Sequence, residues 1–262
     1  MKKKIICLFF AAYFLNFPIY GFAQTTSFLI HRLQNKVSHL SSFTGSFLFA
    51  FQKKKDYRYP LRVYGKIYIF HHWMRMDSKI QMGSDSAKKL KSVFYLNSSG
   101  LWETVSSKGK IAFTAHADPK RIEKDDPRYF IHRRFVDFLN PAAMITQIRL
   151  KQTHFLGRSI LRNHETLIFE VKNPNQIQSF NLPSGKKIKV SQIKLWIGAE
   201  NGICYQGLFL NRKNQVISKF KFYHLILNPK ISLTRFYFLP PKKRNVHDLT
   251  PFMEKIFKKR NA

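Results

Sequence analysis

Acidic residues are scarce in this chain of 262 residues, and cysteine is almost absent. Lys and Arg number 46 against 14 Asp and Glu, which gives a formal net charge of +32, and there are 2 cysteines. So few carboxylates disfavour sites built from several of them, such as a calcium cage or a two-metal cluster. With 44% hydrophobic and 15% aromatic residues, the chain is too apolar for a disordered basic tail. It is predicted to fold with a basic surface.

Residues 1–23 have the pattern of a secretory signal peptide. Three lysines precede an apolar run at residues 5–17, and a small residue, Ala23, ends the segment. The apolar run is too short to span a bilayer. We therefore expect export with cleavage before Gln24, and an uncleaved membrane anchor is the alternative.

Cys7 falls inside that apolar run, which leaves Cys204 alone in the exported chain. One cysteine cannot form an internal disulfide, so the fold must be held by a buried core. At this size a core hides roughly 70% of the surface that the unfolded chain exposes. We expect one domain at residues 24–250, followed by a basic C-terminal tail at residues 251–262.

The hydrophobic spacing changes from helical to alternating near Ser41. Apolar residues at positions 28, 29, 33, 37 and 40 predict one amphipathic helix. Phenylalanines then alternate with small and polar residues, which predicts a strand. Similar runs, separated by turn sequences, predict about eleven antiparallel strands. The expected strands are residues 41–52, 63–70, 73–76, 93–96, 101–105, 110–114, 153–161, 165–171, 187–197, 204–211, 216–227 and 232–239.

The segment at residues 118–150 interrupts the strand pattern. Residues 118–128 are rich in charge and contain two prolines, which predicts a solvated loop. Residues 129–150 carry apolar side chains at a spacing typical of one or two short helices broken at Pro141. The fold class predicted is therefore mainly β with an α-helical lid. A sheet of about eleven strands that curls into a barrel encloses more space than its side chains fill, so a helix, a ligand or both are expected inside.

The ten histidines do not form a metal-binding pattern. His71 and His72 are adjacent, so on a strand they point to opposite faces, and the others lack a partner at ligand spacing. No G-x-S-x-G sequence is present, and His164 has a neighbouring carboxylate at Glu165 but no nucleophile. We expect no metal, no cofactor and no enzymatic activity.

The excess of Lys and Arg is spread over loops and both ends of the chain. A generally basic proteome would account for it, and so would attraction to an anionic membrane surface, worth about 1 kcal/mol per cation near that surface. Binding of a polyanion is the third interpretation. Because nucleic acid is rarely the partner of an exported protein, we do not expect nucleic-acid binding.

Four short motifs follow one another in an order typical of one protein family. They are LQNKVSHLSSFTGSF at residues 33–47, GKIYI at residues 65–69, NSSGLW at residues 97–102 and FYFLPPKKRNVHD at residues 236–248. In this order they resemble the LolA family, the periplasmic carriers of outer-membrane lipoproteins. The resemblance implies an unclosed antiparallel β-barrel of about eleven strands, with an N-terminal helix and a helical insertion over an apolar cavity. It also implies a periplasmic location, an inner-membrane release complex and an outer-membrane acceptor.

The chain departs from the family after the second strand. Many members carry an Arg-Pro pair there that is needed for releasing cargo, whereas this chain has His71 and His72, with Arg75 as the nearest arginine. The resemblance therefore makes His71, His72 and Arg75 the candidates for release or gating.

Strand parity and the resemblance together predict a wall that binds acyl chains. Enclosing one sixteen-carbon chain completely would be worth roughly 13 kcal/mol at ~0.8 kcal/mol per methylene, which would hinder release, so partial enclosure is expected. The lid at residues 129–150 would cover the wall. The predicted lipid-binding residues are Phe47, Phe49, Phe51, Ile67, Ile69, Trp102, Phe135, Phe138 and Met144.

The function predicted is a monomeric periplasmic carrier or sorter that binds acylated lipoproteins or other acyl lipids and hands them towards the outer membrane. Two alternatives remain open. The aromatic side chains could fill a dry core, or the protein could be a periplasmic binding module for an anionic glycolipid or polysaccharide without a shuttling role.

Overall fold

The computed structural model describes residues 21–51, 61–71, 73–82, 89–97, 100–107, 110–118, 140–146, 152–172, 179–181, 187–238, 246–248 and 250–251. Most of the predicted signal peptide, the charged loop, His72, Phe135, Phe138 and most of the C-terminal tail lie outside these residues. No helix in the described ranges is long and apolar enough to cross a membrane.

The described part is dominated by strands. Helix α1 spans Gly21–Ser38, and the short α2 spans Ala143–Thr146. A 3-10 helix at Leu233–Phe236 follows the last long strand. The strands are β1 (Ser42–Phe51), β2 (Leu61–Phe70), β3 (Trp73–Met82), β4 (Lys89–Asn97), β5 (Gly100–Ser107), β6 (Lys110–Ala117), β7 (Thr153–Leu161), β8 (His164–Lys172), β9 (Ser179–Asn181), β10 (Lys187–Lys189), β11 (Gln192–Gly198), β12 (Cys204–Leu210), β13 (Val216–Leu227) and β14 (His247–Asp248).

Twelve of these strands form one sheet in the order β14-β6-β5-β4-β3-β2-β1-β13-β12-β11-β8-β7. Neighbours in the sheet are antiparallel except β14, which runs parallel to β6. The sheet does not close on itself, because β14 and β7 end it and are not paired with each other. The prediction of a mainly β, unclosed antiparallel sheet with an N-terminal helix is confirmed.

One face of the sheet carries the hydrophobic core, and we call it the inner face. In β1, Phe43 and Phe47 are buried on this face, while Thr44 and Ser46 between them point to the outer face. This alternation follows from the two-residue period of a strand. The pairing register carries the alternation across the sheet, so the inner face of one strand is continuous with that of the next.

Helix α1 packs on the core with one side. Ile30, Leu33 and Val37 are buried at the spacing of a single helix face. Gly202 has a positive φ and brings its backbone so close to the Leu33 carbonyl that a Cβ would lie 2.6 Å from the oxygen. The Nζ of Lys36 donates to the carbonyl oxygen of Ala199 at 2.9 Å, which fixes the C-terminal half of the helix on the same turn.

Two strand predictions are wrong. Residues 187–197 form two strands, because β10 pairs with β9 in a separate two-stranded sheet and Ser191 N donates to Leu210 O before β11 begins. Residues 232–239 were expected to be a strand, but the chain forms the 3-10 helix Leu233–Phe236 there. The carbonyl oxygen of Phe236 accepts a hydrogen bond from Asn97 Nδ2 at 2.6 Å. This backbone group is therefore paired with a side chain and not with a neighbouring strand.

Candidate functional site

The inner face of β1–β5 is closed at the end where β1 begins. Phe43 pairs with Ile69, and the row continues through Met74, Leu96 and Leu101 on the next three strands. Each of these side chains is at most 5% exposed. This end of the inner face is therefore ordinary, filled core.

Small side chains occupy the middle of the same face. Phe47 pairs with Gly65, and the row continues through Ser78 and Ser92 to Val105. Three consecutive strands therefore contribute a glycine or a serine, whereas the rows on either side contribute large apolar side chains from the same three strands. The small residues leave less side-chain volume here than at the closed end.

Beyond this row the inner face is apolar and partly open to solvent. Phe49 pairs with Val63, and the row continues through Ile80 to Leu90. These four side chains are only half-buried, although they lie on the face that carries the core. We call Phe49, Val63, Ile80 and Leu90 the open apolar row. Because strands are about 4.8 Å apart, it crosses four strands over roughly 14 Å.

Phenylalanine rings of β1 and β13 support one end of the open apolar row. Phe49 lies 5.4 Å from Phe47, 6.2 Å from Phe220 and 6.0 Å from Phe222, measured between ring centroids. Phe47, Phe220 and Phe222 are buried, so they form a fixed aromatic wall beside the half-buried Phe49.

Among the described residues of β1–β5, Glu103 is the one carboxylate on the inner face. Glu103 is half-buried and pairs with Phe94, which shares its face with Met76 and Ile67. Its Oε1 accepts a hydrogen bond of 2.8 Å from Ser92 Oγ, while Ser78 Oγ donates to the Ser92 carbonyl at 3.0 Å. The middle of the inner face is thus amphipathic. The alternation of residues 101–105 along β5 places Glu103 on this face, and it was not among the predicted site residues.

The structure brings together most of the described residues that were predicted to bind lipid. Phe47, Ile67 and Ile69 lie on the inner face and are at most 1% exposed, while Phe49 and Phe51 share that face and are half-buried. Met144, in α2, packs against the same core, although it is far away in sequence. Missed by the sequence analysis were Val63, Ile80, Leu90, Phe220 and Phe222, which continue the same strand parities.

Trp102 lies on the outer face and is separated from the other predicted residues. It pairs with Tyr95 and His116, and its ring lies 4.0 Å from His116 and 4.9 Å from Phe238. The register of the β4–β5 turn, which pairs Asn97 with Gly100, gives odd-numbered residues of β5 to the inner face. A one-residue difference in register decides the face of every side chain in a strand.

The described candidates for release or gating also lie away from the open apolar row. His71 is exposed in the turn after β2, with a positive φ, and its ring packs edge-on against Phe70. Arg75 is on the outer face, where its Nε donates to Asp77 at 2.8 Å and its guanidinium lies over the Tyr95 ring. Burial acts to lower the pKa of Arg75, but the hydrogen bond and charge of Asp77 outweigh it and raise that pKa.

A pocket of about 180 Å³ lies between α1 and the β7–β8 hairpin. Leu29, Leu33 and Leu167 supply its apolar part. Arg158 at its rim forms an ion pair with Glu165 at 2.8 Å. This ion pair joins the two strands of the hairpin, while Leu29 and Leu33 line the pocket from the side of α1. Elsewhere in the described ranges, no three of His, Cys, Asp or Glu side chains are grouped so that they could hold a metal ion.

Comparisons with known proteins give matches of fold alone. No family model and no curated protein matches the chain. The solved structures that it resembles include a lipoprotein-sorting domain. That domain, described as an outer membrane lipoprotein-sorting protein of Vibrio parahaemolyticus, has 8% identity and a TM-score of 0.34, over 82% of this chain and 97% of that one. The resemblance stated from the sequence agrees with this match.

Two further matches are the lipoprotein LppX of Mycobacterium tuberculosis and MucB. LppX has 5% identity and a TM-score of 0.45, over 80% of this chain and 98% of that one. MucB has 13% identity and a TM-score of 0.40, over 83% of this chain. The chain spans 60 to 64% of the length of the three MucB structures it matches first. At these identities and TM-scores the matches carry no conclusion about function.

Proposed function

We propose that this protein is a periplasmic carrier that binds acyl chains of lipoproteins or other lipids on the inner face of its sheet. The open apolar row carries the proposal, because it places four apolar side chains, partly exposed, on the face that otherwise forms the core. Leaving such side chains accessible to water costs free energy, whereas covering them with a ligand recovers it. Ser78, which is half-buried and lies beside the open apolar row on the inner face, offers a small side chain where an acyl chain could extend the contact.

Partial enclosure fits a protein that must also release its ligand. Burial is worth about 0.8 kcal/mol per methylene, so an acyl chain covered along half of its sixteen carbons would gain about 6 kcal/mol before the costs of association. A ligand held by a gain of this size can still be released to another binding partner. We propose that delivery is directed towards the outer membrane, with His71, His72 and Arg75 as candidates for the release step.

A binding role without catalysis fits the one thiol of the described ranges. Cys204 is fully buried, and burial raises the pKa of its thiol. A raised pKa disfavours the thiolate, which is the nucleophilic form of cysteine. We therefore propose no enzymatic activity for this residue.

The first test is to identify what the protein holds when it is purified. The protein is extracted with organic solvent and the extract is weighed by mass spectrometry, and a fluorescent dye that seeks apolar cavities is then displaced with synthetic lipopeptide. We expect acyl lipid in the extract and displacement that strengthens with acyl length. An extract without acyl lipid, together with a dye that no lipopeptide displaces, would contradict the carrier.

A matched pair of variants tests the position of the site. Ser78→Phe fills the row of small residues on the inner face, whereas Ser46→Phe places the same ring on the outer face. We expect Ser78→Phe to weaken lipopeptide binding at least tenfold, since about 1.4 kcal/mol of lost burial suffices, and Ser46→Phe to leave it near the parent value. Equal effects of the two substitutions would count against the inner face.

The alternative of an anionic glycolipid or polysaccharide predicts a different dependence. Binding of a polyanion weakens steeply as salt is added and is indifferent to acyl length, because screening acts on exposed charges. Acyl binding on the open apolar row is expected to be insensitive to salt. Measuring lipopeptide binding at low and high salt therefore separates the two functions.

A further inference from the structure

The outer face of five neighbouring strands, β13, β1, β2, β3 and β4, carries cations that form no ion pair with a described acidic residue. Lys221 of β13, Lys79 of β3 and Lys91 of β4 fall in one cross-strand row, with Leu48 and Tyr64 between them. Further cations lie in the rows on either side. We call the outward-facing Arg62, Lys66, Lys79, Lys91, Lys219 and Lys221 the basic face.

The described acidic side chains form no ion pair with the basic face. Among the described residues of these five strands, Asp77 is the one carboxylate that points outward; it lies opposite Lys66 in the register but is hydrogen-bonded to Arg75. None of the six cations forms an ion pair or a side-chain hydrogen bond with another described residue. Arg62, Lys66, Lys79 and Lys91 are exposed, so their charges are available to a partner.

The cations are also placed directly beside one another. Lys79 and Lys91 are opposite residues on paired strands, an arrangement in which like charges lower stability. Lys219 and Lys221 share a face of β13, and Arg162 lies over the Tyr223 ring at 4.9 Å. Burial, Lys219 and Arg162 together lower the pKa of Lys221. Repulsion among these cations therefore lowers the stability of the folded protein.

We propose that the basic face docks on the surface of an anionic lipid bilayer. The charges complement phosphate head groups, and Leu48 and Tyr64 add an aliphatic and an amphipathic side chain at the level of the lysine stems. Five of the six cations are lysines, which act as point charges, whereas nucleic-acid sites favour arginine and stacked aromatic platforms. The inference goes beyond the proposed carrier, since it concerns the face of the sheet opposite the open apolar row.

The test measures binding of residues 24–262, the chain without its predicted signal peptide, to lipid vesicles that are then sedimented. One set of vesicles is phosphatidylcholine alone, and the other contains phosphatidylglycerol as well. We expect binding to the anionic vesicles only, with loss as salt is raised. The double variant Lys79→Gln/Lys91→Gln should bind about 30-fold more weakly, at about a fivefold loss per cation. The variant Lys219→Gln/Lys221→Gln should behave in the same way.

The matched control is Lys213→Gln/Lys230→Gln, which removes two exposed lysines outside the basic face and changes the net charge equally. We expect it to bind like the parent. Loss of the same size in all three variants would overturn the proposal, because net charge alone would then explain binding. Strong binding to dextran sulfate or single-stranded DNA without binding to anionic vesicles would also overturn it.

Thermal unfolding of the variants shows whether weaker vesicle binding comes from a loss of folded protein. Removing the opposed lysines should leave the midpoint unchanged or raise it, because like-charge repulsion is relieved. This proposal and the proposed carrier function can fail independently. Lipid extraction reports on the inner face, whereas vesicle binding reports on the outer face.

Discussion

At the scale of single residues, Gly65 and Gly45 are both glycines of the first strand pair, but their surroundings differ. A Cβ on Gly65 would overlap the backbone carbonyl of Asp77, while a Cβ on Gly45 would overlap the end of the flexible Leu225 side chain. Backbone cannot move without disturbing the β2–β3 pairing, whereas a leucine can change rotamer.

We therefore expect Gly65→Ala to lower the free energy of unfolding by about 3 kcal/mol and Gly45→Ala by about 1 kcal/mol. Chemical denaturation followed by circular dichroism measures both. Equal losses would show that the close approach of β2 and β3 at Gly65 does not constrain the strands.

Cys204 gives a pH-dependent prediction. Burial raises the pKa of its thiol, so the folded protein keeps it protonated at a pH where the unfolded chain has begun to lose the proton. The stabilisation is complete below the unfolded pKa of about 8.5 and declines as pH rises above it.

The free energy of unfolding of the parent should thus fall more steeply above about pH 8.5 than that of Cys204→Ala. Thiol reagents should label Cys204 only after denaturant is added. Rapid labelling of the folded protein would mean that the side chain is accessible.

At the scale of elements, the segment after β13 is fastened to the outer face by one buried ring. Phe236 is 0% exposed and packs against Trp73 at 6.1 Å, while the neighbouring Tyr237 packs against the same ring at 6.0 Å but is 58% exposed. We expect Phe236→Ala to cost about 3 to 4 kcal/mol and Tyr237→Ala under about 1 kcal/mol.

Tryptophan fluorescence during denaturation and limited proteolysis would report both substitutions. Phe236→Ala should also make the 3-10 helix Leu233–Phe236 the first site of cleavage. If Tyr237→Ala caused the larger loss, the exposed ring rather than the buried one would fasten the segment.

Elements with strong alternation could be predicted from sequence, and those that depend on distant partners could not. The predictions for β1, β2 and β13 succeed because each has one buried apolar parity. Residues 187–197 alternate equally well, but the break before β11 is set by pairing of β10 with β9, which local sequence does not encode. Trp102 was misplaced by one residue of register for the same kind of reason.

Sequence alone also predicted several residues of the candidate site, but not how residues of different strands are arranged beside one another. Phe47, Phe49 and Phe51 share the inner face because they share a parity in β1. The row of small residues could not be predicted, because Gly65, Ser78 and Ser92 come from three strands. They lie side by side only because of the register in which these strands pair. The face of Glu103 likewise depends on the register of β4 with β5.

At the scale of the whole molecule, the net charge of +32 governs how the fold responds to salt. Charge of one sign repels itself and destabilises the compact state. The described ion pairs are few, and the pair of Arg158 with Glu165 is exposed on both sides, where an ion pair is worth little. Repulsion should therefore outweigh attraction at low ionic strength.

We expect the thermal midpoint to rise as sodium chloride is raised from about 0.01 M to about 0.15 M, because the Debye length falls from about 30 Å to about 8 Å and screens the repulsion. Lys91→Glu should raise the midpoint at low salt, since it places a carboxylate opposite Lys79. That gain should shrink at high salt. A midpoint that falls with added salt would mean that the few acidic residues contribute more by pairing than the many cations lose by repulsion.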